Sequence, residues 1–252
     1  MTKSSNPAGL VMGPGPYRVL GSRARPDVGW VARVSGRQTE EVVAVMKDLK
    51  SHSEIIRELL KRIMKTGKAY YAQFPAPLDL YALVRLAEPG TVAESGVASG
   101  ISSAFILLAL TDNGRGVLHS IDYPVSQGGR HGNEPWAVPS GMSSGWAIPR
   151  SLRTGWDLRT GRSEDLLKPL LEDIGRLDFY CHDSPVDARH FAFEMSTIRP
   201  WLRGGSWWSL TTPSGRPSRR RPPGLARSRV AGRAPASARL GFLRRTATLT
   251  DA

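Results

Sequence analysis

The sequence predicts an α/β fold with a mostly parallel sheet and helices on both faces. From Thr91 onward, short apolar strands alternate with amphipathic helices, the pattern of strands joined by helical crossovers. A Gly-rich turn, Gly96-Val-Ala-Ser-Gly100, joins the first of these strands to its helix, and Asp122 follows about 20 residues on. The charge is not spread evenly. The net +13 is concentrated in residues 203–252, which hold eleven Arg, no Lys and one acid, so residues 1–202 carry only +3.

Residues 1–38 are turn-rich and predict an irregular, mobile arm. Residues 39–75 read as a helical extension. Thr39 is the expected N-cap, with Glu40 and Glu41 in the first turn. An apolar stripe runs from Val42 to Met46 and resumes from Ile55 to Ile63. Pro77 to Leu86 predicts a helix stopped by Pro89-Gly90. Strands follow at Thr91–Glu94, Val117–Ile121, Trp156–Arg159 and Leu177–Cys181, and helices at Ser102–Leu110, Ser163–Ile174 and Asp187–Trp201. Tyr123 to Gly145 is a long Gly/Pro/Ser-rich loop carrying Arg130, His131, Glu134, Trp136 and Met142, with Trp146 just beyond. Loops of this length in compact domains are often lids or binding loops, so it is expected to recognise a second ligand.

Composition narrows the classes. Hydrophobic residues make up 40% of the chain, enough for a sizeable core. Cys181 is the sole cysteine, which excludes an internal disulfide and a Cys-rich metal centre. The longest apolar run, Ala104 to Leu110, is far short of the about 20 residues a membrane span needs. A cytoplasmic protein is expected, with no membrane partner.

A strand, a Gly-rich turn, a helix and a second strand ending in an acid make the anatomy of a nucleotide-type cofactor site. Glu94, two residues before the first glycine, is unsuited to a pyrophosphate, which it would repel. It suits a cofactor with a cationic amino-acid end. The pattern Glu94-x-Gly96-x-Ala98-x-Gly100 resembles the first motif of class I S-adenosylmethionine-dependent methyltransferases, a Rossmann-like family. Asp122 matches the acid that holds the ribose hydroxyls. Gly161-Arg-Ser163 matches the turn that contacts adenine, and Asp178-Phe-Tyr-Cys-His-Asp-Ser184 resembles the fourth-strand motif beside the methyl-transfer site. The resemblance covers 76–205. It implies S-adenosyl-L-methionine as cofactor, held by Glu94, Gly96, Ala98, Gly100, Ser102, Asp122, Arg162 and Ser163. Asp183 and His182 are the implied catalytic candidates, with no metal ligand set and a small-molecule or sugar acceptor, methylated on oxygen. Many members carry a histidine soon after the fourth-strand acid. Here Pro185-Val186-Asp187 stand there, and His190 lies further on.

From 206 the text becomes rich in Arg, Pro, Ser and Gly, a composition that predicts disorder. Ser206 to Thr212 is a poor match to the buried fifth strand the family requires. Reading two nucleotides along permits Val-Val-Val-Ala-Asp-Asn, so the tail reads as an out-of-frame product near Gly205. The C-terminal strands are then expected to be missing or replaced by a disordered basic tail, with impaired stability and activity. Two other functions stay open: a nicotinamide-dependent Rossmann enzyme, and a basic protein binding nucleic acid through 206–252, the less favoured partner. A homo-oligomer is also left open.

Overall fold

The computed structural model describes residues 26–67, 76–124, 138–184, 188–211 and 240–244. Arg130, His131, Glu134, Trp136 and the tail at 212–239 lie outside the described residues.

Helices α1 (Val28–Ser35), α2 (Thr39–Asp48), α3 (Ser53–Met64) and α4 (Pro77–Ala87) precede the sheet. Then come β1 (Thr91–Ser95), α5 (Ile101–Asn113), β2 (Val117–Asp122), β3 (Trp156–Thr160), α6 (Ser163–Ile174), β4 (Leu177–His182), α7 (Ala188–Ile198), β5 (Leu202–Thr211) and β6 (Leu240–Arg244). The strands lie in the order β3-β2-β1-β4-β5-β6. All neighbours are parallel except β6, which runs antiparallel to β5. The order reverses between β1 and β4. In open α/β sheets that switch point is where ligands bind, beyond the carboxyl ends of the strands.

Alternation along the strands divides the interior in two. Val92, Phe179 and Cys181 face a core shared with α1 to α5. Ala93 and Tyr180 face a second core under α6 and α7. Helix α5 is buried on every side from Ile101 to Leu110, so it reads as apolar all round rather than as a stripe. It lies between the sheet and α4, which is itself buried from Pro77 to Val84.

Three expectations need correction. The segment 1–38 is not irregular throughout, because α1 forms within it. Asp27 Oδ1 accepts from the Trp30 N–H at 3.0 Å, and Gly36, at φ 68°, closes the helix. The Asp27 N–H donates to Asp79 Oδ1 on α4 at 2.8 Å, and Val31 is fully buried, so α1 is part of the core. The N-cap of α2 is Gln38 rather than Thr39. Gln38 is extended, and its N–H donates to Glu41 at 2.9 Å. Finally, the fifth strand is present. Residues 202–211 pair with β4, Trp208 opposite Tyr180, and 240–244 close that edge. The Trp and Thr residues there have high strand propensity, and without β5 the edge of β4 would leave its backbone groups unpaired.

Candidate functional site

The carboxyl ends of β1, β2 and β4 lie side by side, and their loops are tied together through backbone. The Asp183 N–H donates to Ser95 O at 2.8 Å, Gly96 N–H to Ile121 O at 2.9 Å, and Gly161 N–H to Asp122 O at 2.9 Å. Every turn singled out in the sequence therefore meets at one edge of the sheet.

Gly96 and Gly100 have φ of 84° and 94°, conformations that L side chains avoid. Close approach makes them necessary as well. A Cβ at Gly96 would come within 2.2 Å of the Asp183 carbonyl oxygen, and one at Gly100 within 2.5 Å of Ile148. The glycines thus serve the packing of β4's end and of residues 145–148 against the turn. Ala98 also sits in the left-handed region, at φ 49°, which costs about 1 kcal/mol. Its carbonyl accepts from the Gly145 N–H at 2.8 Å, and Ser99 O accepts from Ala147 N–H at 3.1 Å.

Asp122 ends β2 and is 9% exposed. Its Oδ1 accepts from the Val97 N–H at 3.0 Å, inside the Gly-rich turn, and its Oδ2 accepts from the Ser144 hydroxyl. Glu94 is buried one strand over. Its Oε2 accepts from Ser103 at 2.5 Å and from Ser120 at 2.9 Å, and the Trp156 indole donates to Ser120 at 2.9 Å. Burial pushes the Glu94 carboxyl up to about 7, the nearby hydroxyls of Ser102, Ser103 and Ser120 offset part of that rise, and the Asp122 charge adds to it. Glu94 Oε1 and Ser102 Oγ are buried without a hydrogen-bond partner among the described residues.

A second polar cluster lies on the opposite face of the sheet. Glu194 of α7 is fully buried, and five side chains converge on its carboxylate. Ser95 and Tyr180 each donate to Oε2 at 2.8 Å, and His182 Nδ1 lies 2.5 Å from the same oxygen. Ser184 donates to Oε1 at 3.2 Å, and His190 Nε2 lies 2.9 Å from it. Burial alone would raise the Glu194 pKa. The hydrogen bonds and charge of the histidines outweigh it and hold the carboxyl well below the usual range. Ser163 Oγ is 3.3 Å from His190 Nε2, which links the turn after β3 to this cluster.

The structure therefore divides the residues singled out in the sequence. Glu94, Gly96, Ala98, Gly100, Ser102 and Asp122 gather at the turn. Asp183 is half-buried at the end of β4, its backbone against Gly96. His182 is fully buried, with its ring on Glu194 under α7. Arg162 points outward and pairs with Glu164 at 3.4 Å. Ser163 belongs to the Glu194 cluster. Three groups went unread in the sequence: Glu194, Ser144 and the arginines beside Ile148. The i,i+4 spacing of His190 and Glu194 on one helix face was the signal available for the first. Among the described residues, no group of three or more His, Cys, Asp or Glu side chains is arranged to hold a metal, and no helix is long and apolar enough to cross a membrane.

Residues 93–210 match the family model described as a methyltransferase domain. No curated protein matches the chain in sequence. Among solved structures, an SAH-bound methyltransferase from Podospora anserina is 15% identical over 62% of this chain and 61% of its own, with a TM-score of 0.45. An O-methyltransferase from Bacillus cereus in complex with SAH is 17% identical over 66% of this chain and 71% of its own, with a TM-score of 0.42. An O-methyltransferase of tomaymycin synthesis from Streptomyces achromogenes, in complex with SAM, is 17% identical over 69% and 66%, with a TM-score of 0.39. The chain spans less than two thirds of the length of the Podospora protein.

Proposed function

We propose, from the premise that residues 93–210 are a methyltransferase domain, that this chain transfers a methyl group from S-adenosyl-L-methionine to an oxygen of a small molecule. The observation that carries the reading is Asp122 at the switch-point edge, beside the Gly-rich turn and opposite a buried Glu94. The residues fit that donor. Asp122 offers two carboxylate oxygens to ribose hydroxyls. Glu94 Oε1 and the nearby Ser102 Oγ, buried without another partner among the described residues, suit its cationic amino-acid end. The bound donor would supply an electrophilic methyl on a good leaving group, so the protein's main work is to hold the acceptor in line and near.

The residues then take separate roles. Asp183, half-buried beside Gly96, accepts the proton of the acceptor hydroxyl as general base. His182 acts as a positioning residue, holding the end of β4 through Glu194. Met142 and Trp146, beside the Ser144 that touches Asp122, take part in acceptor recognition. The antiparallel β6 gives the sheet the edge expected of this family, and Glu94 disfavours a pyrophosphate.

The test is a calorimetric titration with S-adenosylmethionine and, separately, with NAD and NADP. Saturable binding of the sulfonium donor with neither dinucleotide bound is expected. Dinucleotide binding without donor binding would replace this reading with the nicotinamide one.

A further inference from the structure

A cavity of about 690 Å³ lies between α3 and the segment 139–153. Arg62, Lys65 and Arg153 line it, together with Met142 and the indole of Trp146, and among the described residues no acidic side chain does. Arg62 and Arg153 reach it from positions far apart in sequence and converge on one atom. Arg62 Nη1 donates to Ile148 O at 3.2 Å, and Arg153 donates to the same oxygen through Nε at 3.3 Å and Nη2 at 3.2 Å. Arg62 has a counter-charge in Glu58, at 2.6 Å. Among the described residues Arg153 has no carboxylate partner. Its Nη2 donates to Gly145 O at 3.2 Å, and its guanidinium lies 5.7 Å from the Trp156 ring. Burial, and the like charges of Arg62 and Arg150, disfavour its protonated form.

Two guanidiniums share one carbonyl; Glu58 offsets the charge of Arg62, and among the described residues Arg153 has no such counter-charge. A planar anion supplies a counter-charge: with the Arg62 and Arg153 forks turned onto Glu58 and the Ile148 carbonyl, it takes the remaining guanidinium N–H groups and the Lys65 ammonium as charge-assisted donors, and an indole face accepts a flat ring. The cavity wall also touches the proposed donor site. Residues 139–146 carry Ser144, whose hydroxyl donates to Asp122, and Gly145 and Ile148 pack on the Gly-rich turn.

We propose that this cavity binds the acceptor, and that the acceptor is an aromatic acid whose carboxylate or phosphate is held by Lys65, Arg62 and Arg153. This assignment deepens the methyltransferase reading and rests on it for the word acceptor. The binding of the anion itself does not depend on that reading.

The experiment measures binding by calorimetry on the full chain, with 4-hydroxybenzoate, phenyl phosphate and the uncharged 4-hydroxybenzamide as probes, each with and without S-adenosylmethionine. Lys65→Glu is the main variant, because Lys65 is exposed at the end of α3 and its reversal leaves the core intact. Arg153→Lys, which keeps the charge and loses the fork, is the second. An anion is expected to bind roughly tenfold or more tightly than the amide, in line with a charge-assisted contact, and whichever anion wins identifies the headgroup. Lys65→Glu abolishes the preference, Arg153→Lys weakens it, and added salt reduces it. Equal binding of acid and amide, or a preference that survives Lys65→Glu, overturns the proposal. So does displacement of the acid by S-adenosylmethionine, which would give the cavity to the donor's own carboxylate. A charge preference lost in Lys65→Glu, in a protein that binds no donor, upholds the anion site and sinks the methyltransferase reading alone.

Discussion

Two glutamates lie fully inside this protein, on opposite faces of one sheet, and burial affects them in opposite ways. Glu94 meets hydroxyl groups and a neighbouring carboxylate, and its carboxyl is pushed up to about 7. Glu194 meets two histidines, a tyrosine and two serines, and is held well below the usual range. Desolvation acts on both. The difference lies in whether the donors that replace water carry charge. The consequence is a division of labour: Glu194 is saturated by five groups and fixes α7 to β1 and β4, whereas Glu94 keeps one oxygen without a hydrogen-bond partner among the described residues, at the proposed donor site.

The largest expected effect is on the saturated side. Glu194→Gln puts an amide N–H among side chains that are themselves donors, and it removes the carboxylate shared by His182 and His190, leaving His190 only Glu164 at 3.4 Å. A loss of roughly 3 kcal/mol in urea denaturation is expected. A loss under about 1 kcal/mol would mean the cluster is no stronger than a surface network, and the contrast would fail.

Glu94 gives an effect of similar limiting size that develops only as pH rises, a distinct pH signature. Its pKa is 4.5 when free and about 7 in the folded protein, so between those values the folded state binds more protons than the unfolded. Stability from this residue is full below about 4.5 and is lost as pH rises through 7, by roughly 3 kcal/mol in the limit. Glu94→Gln removes that slope. The difference between variant and wild type therefore grows in the variant's favour from acid to neutral pH, and little separates them at the acid end. A flat difference across that range would show that Glu94 is not held protonated.

The same contrast marks how far the sequence could be read. Most of the elements from Pro77 to Trp201 are legible, because each joins a periodic apolar pattern to a stop signal such as Pro89-Gly90 or Gly175. The turn and Asp122 are legible for a similar reason: their chemistry is set by local spacing. The α1 helix went unread although Asp27 and Gly36 bracket it, because Pro26 and Gly29 give its start the look of a turn. The strand at 202–211 went unread because Ser206 to Thr212 departs from a buried apolar run, although it pairs with β4. Glu194 binds Ser95 across 99 positions, and Arg62 meets Ile148 across 86, so no local window holds either relation. His182 was legible as the end of the strand, whereas its contact with Glu194, at 2.5 Å, appears only in the tertiary structure.

The central claim is that the edge beside Gly96 to Gly100 is a methyl-donor site anchored by Asp122. Calorimetry with S-adenosylmethionine on the wild type and Asp122→Ala tests it most directly. Saturable binding in the wild type is expected, weakened roughly tenfold or more in the variant, as befits loss of a carboxylate that accepts from sugar hydroxyls. Equal affinity in the two proteins, or no binding in a folded wild type, would contradict it.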